Sequence, residues 1–343
     1  MQILNKYLLV TVTLLCCISL YSQSFKVSII DVYGNRHTHF DTVLAHIGIQ
    51  EGDSIDMDNF NVENIITRLK KIPGIKHITV NPVCCDTANN LILYIGIGET
   101  DSVILKYRNA PQQDALLTNN IFNAYTNYVS QLQAAILNGQ GTEDDSQGYA
   151  LIEYAPARKE QNKFIEFANQ NFLMLANVLK NAANAEHRAA AAQIIAYSSN
   201  RTEVVNNLLY ATDDPDEIVR NNAVRAIAIL AKYVALHPEL KIIIPSAPFI
   251  KMMNSIVWTD RNKGASVLLS LTKNHDPEIL KQINAQAMPS IIEMAKWKNR
   301  GHAAYSFIIL GRIAGEDEAL LNIKNYSNDW SNQIKKIIDK RSN

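Results

Sequence analysis

Charge is scarce in this 343-residue chain: Asp, Glu, Lys and Arg make up 19% of it, and 33 basic side chains balance 33 acidic ones. A typical soluble domain is about 25% charged, so the surface must be largely neutral-polar. Without a basic excess the chain is not an electrostatic nucleic-acid binder, which needs Lys and Arg to displace counterions from phosphates. A polybasic membrane anchor and a disordered acidic tail are excluded on the same ground. Cysteine is scarce too. The four present make no disulfide framework, and a chain this long buries enough apolar surface to need none. Cys84 and Cys85 are adjacent, and an extended backbone sends neighbours to opposite faces. They read as one half-buried and one surface thiol at a strand end, with a vicinal disulfide or an intermolecular crosslink as the redox alternatives.

Long apolar runs are absent after Leu20. The run Tyr7–Leu20, behind Lys6, is shorter than the roughly 20 residues of a spanning helix and matches a signal-peptide core. Residues 1–23 are expected to be a signal peptide, removed within Ser22–Ser24, which makes the chain periplasmic or secreted with no membrane span thereafter. An uncleaved leader would leave it membrane-anchored. Leu15 before Cys16, and Cys16 before Cys17, do not supply the small residue that lipidation wants. Catalytic signatures are missing as well: no H-E-x-x-H, G-x-S-x-G, Walker loop or dinucleotide glycine set occurs. His37-Thr38-His39 lacks a third ligand at convincing spacing and reads as a solvated turn. No catalytic residue, metal ligand or cofactor is assigned.

What is present divides the chain. In residues 24–101, Phe25–Val32 is β-branched and alternates loosely, as a strand does. Thr42–Ile49 and Asp56–Lys71 carry helical apolar spacing, the second through Val62, Ile65, Ile66 and Leu69, and Pro73-Gly74 stops it. His77–Cys84 and Leu91–Gly98 are two further strands. The order β-α-α-β-β describes a small two-layer unit. Several residues strengthen the reading: Val32-x-Gly34-Asn35, the Gly52-Asp53 loop with Asp56, Ile72-Pro73-Gly74-Ile75 leading into Ile78-x-Val80, and a last strand ending in Glu99. This arrangement resembles the POTRA (polypeptide-transport-associated) domain, although Ile75 stands where the family often has an aromatic and no β-barrel follows.

The resemblance implies a binding module whose exposed edge is His77–Cys84. A free strand edge can accept an extended peptide, which makes His77, Ile78, Thr79, Val80, Asn81 and Val83 the expected partner-binding residues. Pro82 removes one donor there, and Cys84 and Cys85 are the candidate redox or crosslinking residues. By the same resemblance an outer-membrane barrel protein is one partner.

Residues 102–160 read as a helical connector. A long amphipathic helix is expected over Gln112–Leu137, its tyrosines serving as core contacts, followed by a flexible polar loop at 138–148. Residues 161–343 repeat themselves. The blocks led by Arg188, Arg220, Arg261 and Arg300 align without gaps, each with small residues three to four positions later and large apolar ones after that. Periods near 32–41 residues with paired helices mark α-solenoids. Asp213-Asp214-Pro215-Asp216-Glu217-Ile218-Val219-Arg220 looks like the HEAT-repeat signature, Asp capping the helix and Pro in its first turn; Asp276-Pro277-Glu278 repeats it. The repeat arginines are expected to pair with acidic groups inside the stack. Tyr326–Lys340 reads as a closing helix. The fold class is therefore α+β, a β-α-α-β-β POTRA-like domain followed by a mostly α HEAT-like solenoid. The function is an exported, non-catalytic scaffold that binds an extended peptide or outer-membrane protein at the edge strand and a second protein through the repeats. The alternative is a secreted hydrolase or ligand-binding protein with a pocket between connector and repeats.

Overall fold

The computed structural model describes residues 24–57, 59–86, 88–322 and 329–342. Residues 1–23, expected as a signal peptide, and the first residues of the expected closing helix lie outside them. The small domain runs β1 (Ser24–Tyr33), α1 (Phe40–Ile47), β2 (Ser54–Asp56), α2 (Val62–Leu69), β3 (Ile75–Cys84) and β4 (Leu91–Glu99). Its sheet is four-stranded in the order β2-β1-β4-β3, with β1 parallel to β4 and the other pairs antiparallel. The expected helix Asp56–Lys71 is shorter than its spacing implied. Asp56 ends β2, and Asn61 caps α2 by accepting the Asn64 N–H. Gly48, in the left-handed region, closes α1.

One face of the sheet, with Val27, Ile30, Val80, Leu93, Ile95 and Ile97, packs under Val43, Ile47, Ile65 and Leu69 of the two helices. The other face is not solvated. Tyr33, Ile92 and Tyr94 join the core of the helical region, so β4 is buried along its whole length.

The helical region comprises α3 (Asn119–Leu137), the two-residue strands β5 (Glu143–Asp144) and β6 (Leu151–Ile152), α4 (Ala155–Gln170), α5 (Phe172–Asn181), α6 (Ala185–Ile195), α7 (Arg201–Ala211), α8 (Glu217–Leu236), α9 (Ala247–Met252), α10 (Trp258–Leu271), α11 (Pro277–Gln286), α12 (Met288–Ala295), α13 (Arg300–Ile313) and α14 (Trp330–Ser342). Helices α6, α8, α10 and α13, each bearing or opened by one repeat arginine, stack on one another; α5 packs beside α6, α7 beside α8, α9 beside α10 and α12 beside α13. Small residues make this possible: Ala191, Ala223 and Ala303 are fully buried at the seams, and Gly264 admits Phe249 and Met252. Trp330, Ile334 and Ile337 of α14 close the stack.

Three of the four repeat arginines are ion-paired as expected, each to the next repeat: Arg188 with Asp214, Arg220 with Asp260 and Arg261 with Glu293. Arg300 instead lies over the Trp330 ring at 4.7 Å. Arg188 and Arg220 also donate to the carbonyls at the start of their own helices. Asp216, not Asp214, is the cap of α8, and Pro215 precedes that cap rather than entering the first turn; Asp276 and Pro277 follow the signature.

Helix α3 begins at Asn119, and the segment 112–118, expected as its start, is not helical. It is the end of a strap that leaves β4 and crosses the repeats. Tyr107 donates to Asp260 at 2.5 Å while its ring lies 3.8 Å from the Arg220 guanidinium. Arg108 reaches Asp214 at 2.5 Å and covers Tyr210. Gln113 bridges to Ala182, and the Leu117 N–H donates to His187 Nδ1 at 3.0 Å. In the 138–148 segment three acidic residues are paired: Glu143 with Arg225 and Asp145 with Lys232, both on α8, and Asp144 with Arg158 on α4.

Candidate functional site

The binding face expected from the sequence is β3, which the structure places at the edge of the sheet, paired on one side only, with β4. Its side chains divide by parity, as a pleated strand requires. Val80 is buried and Ile78 half-buried beneath the helices, while His77 and Cys84 are exposed. Val83 packs against the helical core. Thr79 and Asn81 face the solenoid, where Thr79 donates to the Ile256 carbonyl at 2.5 Å and Asn81 accepts the Trp258 N–H at 3.4 Å. What β3 still offers a partner is its outer main chain and the side chains at its two ends. Cys84 and Cys85 are joined by a disulfide across a cis peptide bond, in place of the two thiols expected, and the ring stands at the end of this edge.

Sequence reasoning missed the contact behind β3, because each of its halves lies far from the other in the chain. The Tyr33 hydroxyl donates to the same Ile256 carbonyl at 2.6 Å. Gly96 makes the approach possible, since a Cβ there would stand 1.9 Å from the Ile256 oxygen. The Gly34 N–H donates to Glu293 at 2.7 Å and the Lys298 N–H to Asp31 at 3.1 Å. Tyr94 stacks on Trp258, tilts against Trp297 and sets its hydroxyl 2.6 Å from His302 Nδ1.

Two titrations in this contact oppose each other. Burial pushes Asp31 up to about 6, against the Lys298 N–H and charge, and burial holds His302 down to about 4, with Lys263 adding to it. Asp31 contributes stability that is full below its unfolded value and lost as pH rises through about 6. His302 contributes stability present above pH 6.5 and lost as pH falls towards 4. Hence His302→Gln should cost most at neutral pH and progressively less by pH 5. Urea midpoints measured at both values check this; parallel pH profiles for the two proteins contradict it.

Two apolar clefts flank α3. One of about 330 Å³ lies between the end of the sheet (Phe25, Met57, Pro82, Cys84, Leu91) and α3 (Val129, Leu132, Ile136). The second, about 340 Å³, lies between Phe122, Tyr125 and Val129 of α3 and Ala189 and Ile218, with Glu186 and Asp216 at its rim. Neither gathers the converging titratable groups that hydrolysis needs.

Elsewhere, His37, Glu99 and Asp101 bring potential ligand atoms within 4.8 Å of one another. Glu99, however, accepts the N–H groups of Arg36, His37 and Thr38 at 2.7–3.1 Å. Burial alone would raise this carboxyl, but the bonds from Thr38 and His37 outweigh it and hold it below its ordinary value. With both oxygens engaged, Glu99 acts as the lock of the turn before α1. His37 pairs with Asp101 in solvent at 3.0 Å.

The model of the FtsQ-type POTRA domain matches residues 25–87, and that of HEAT repeats matches residues 173–241. The chain joins a POTRA domain to HEAT repeats. Among solved structures it is similar to the designed armadillo repeat protein YIII(Dq)4CqI, at 14% identity and a TM-score of 0.35, over 57% of this chain and 98% of that one. No curated protein matches. POTRA and HEAT-repeat domains together mark a protein-interaction scaffold, of a type that is typically non-catalytic, and the FtsQ-type match suggests association with the cell envelope. Among the described residues no helix is long and apolar enough to cross a membrane.

Proposed function

We propose that this protein is an exported scaffold that receives an extended segment of a partner, such as an outer-membrane protein, along the free edge of β3 and holds a second protein on its repeats. The observation that carries the reading is the one-sided pairing of β3. Nine of its residues have partners on β4, and among the described residues none has a strand partner on the outer side. Strand edges left in this condition are ready-made templates for another chain. The row of repeat arginines is covered by the strap and by Tyr33, so the second protein would use the outer helices α5, α7, α9 and α11. Export rests on the leader reading of residues 1–23.

The test is photo-crosslinking in cells from the envelope-exposed protein, with the probe at His77 on β3 and, as control, at Ser54 on the opposite edge strand β2. Both residues are exposed. A discrete protein adduct from His77 but not from Ser54, on a chain whose mature N-terminus falls within Ser22–Ser24, is the expected result. Equal or absent adducts at the two edges overturn the reading.

A further inference from the structure

The cleft at the end of the sheet shares two of its walls with the edge strand itself. Pro82 and Cys84 belong to β3 and also line the hollow beside Val129, Leu132 and Ile136. A chain paired along β3 is therefore delivered into the cleft when it runs past Cys84. At the same point Pro82 lacks the N–H that would continue a ladder, so affinity there must come from side chains rather than main chain.

The chemistry those side chains need can be read from the lining. Among the described residues no ionisable group lines the cleft. Helix α3 contributes no charge from Asn119 to Leu137, yet it leaves Val129 42% and Ile136 38% exposed. An uncharged, apolar wall in water fits large aliphatic or aromatic residues and penalises charged ones. Val129 also borders the second hollow, so the apolar track continues along α3 towards Phe122, about 10 Å further at 1.5 Å per helical residue. That end is rimmed by Glu186 and Asp216 and complements a cation.

Resting on the β3-edge reading, we infer that the cleft between the sheet end and α3 is a specificity pocket for the bound segment, taking apolar side chains that immediately precede its strand-paired stretch. Antiparallel addition to β3 sets the segment's N-terminal flank at the Cys84 end, and antiparallel pairing is the more stable arrangement. The recognised motif is a basic residue, a spacer of about three extended residues at 3.4 Å each, two large apolar residues, and then an alternating strand.

The experiment uses the mature protein with labelled methyls and amides and synthetic peptides sharing an alternating Thr-Val core. One carries Lys-Ser-Ser-Ser-Leu-Leu before the core; the other replaces Leu-Leu by Ser-Ser. The expected result is binding about tenfold tighter for the Leu-Leu peptide, shifts at both the β3 amides and the Val129 and Ile136 methyls, and loss of the tenfold gain in Val129→Asp, a surface change that spares the fold. If both peptides shift the β3 amides equally and leave the methyls unmoved, the pocket is refuted and the edge reading stands. If neither peptide moves the β3 amides, the edge reading fails and takes the pocket with it.

Discussion

Asp214→Ala should destabilise the protein by about 3–5 kcal/mol, the cost of stranding a buried charge. Asp214 is fully buried and accepts four hydrogen bonds: two from Arg188 at 2.9 Å, one from Arg108 at 2.5 Å and the Asp216 N–H at 3.0 Å. Arg188 is itself 2% exposed and cannot recover water. Its bonds to the Ala182 and Ala183 carbonyls survive the substitution but do not neutralise it. Arg108 is partly exposed and can swing out, which costs the strap one of its anchors. The neighbouring Asp213→Ala supplies the control. Asp213 pairs with Lys251 at 3.3 Å, both about half exposed, and such surface pairs contribute less than about 1 kcal/mol. Urea unfolding of the two variants should therefore separate them clearly. Equal losses would mean that the repeat arginines are solvated. The double change Arg188→Met with Asp214→Leu should be milder than Asp214→Ala, because it removes both charges together.

Gly96→Val should cost roughly 3–5 kcal/mol by combining overpacking with lost hydrogen bonds. The added Cβ would meet the Ile256 oxygen at 1.9 Å, its carbon at 2.9 Å and Thr79 Oγ1 at 2.5 Å. Two of these atoms are backbone, so no side-chain rotation relieves the clash. The 254–258 segment must move away, taking with it the acceptor of both Tyr33 and Thr79 and loosening the Tyr94–Trp258 stack. The sheet should lift from the helices while keeping its own core under α1 and α2. Limited proteolysis between residues 102 and 118, together with urea unfolding, reads this out. Gly141→Ala, where only an Ile136 carbon comes within 4 Å, should be close to neutral. A Gly96→Val protein as stable and protease-resistant as the parent would show that this contact does not hold the two parts together.

Much of the architecture was legible because it is periodic. Val62, Ile65, Ile66 and Leu69 announce α2, and the four arginine-led blocks announce the stack. β2 was missed because three residues, Ser54–Asp56, show no alternation to read. The strap reads as part of α3 because Leu117 stands four before Ile121 and continues the helical spacing, although the helix begins only at Asn119, behind the extended N-cap Thr118. The pairing of the arginines was foreseeable, but their partners were not. Asp214 lies six residues before Arg220, Asp260 one before Arg261 and Glu293 seven before Arg300, so the carboxylates keep no period of their own. The docking face was invisible for a different reason. Tyr33, Tyr94 and Gly96 look like ordinary alternating strand residues, and the carbonyl that they accommodate belongs to Ile256, more than 150 residues onward. Of the candidate site, the edge strand could be read from its resemblance, whereas the clefts on α3 arise only when connector and sheet meet.

The strap also changes how this array should come apart. In a bare solenoid each repeat touches only its neighbours, so stability is a sum of local terms and the ends can unravel while the middle survives. Here Gln113, Arg108 and Tyr107 tie one continuous backbone to the repeats holding Ala182, Asp214 and Asp260, and the sheet then clamps the repeats of Ile256 and His302. These are bonds between distant units rather than adjacent ones. They should convert a chain of weakly coupled links into a single cooperative block, one expected to melt in a single calorimetric transition.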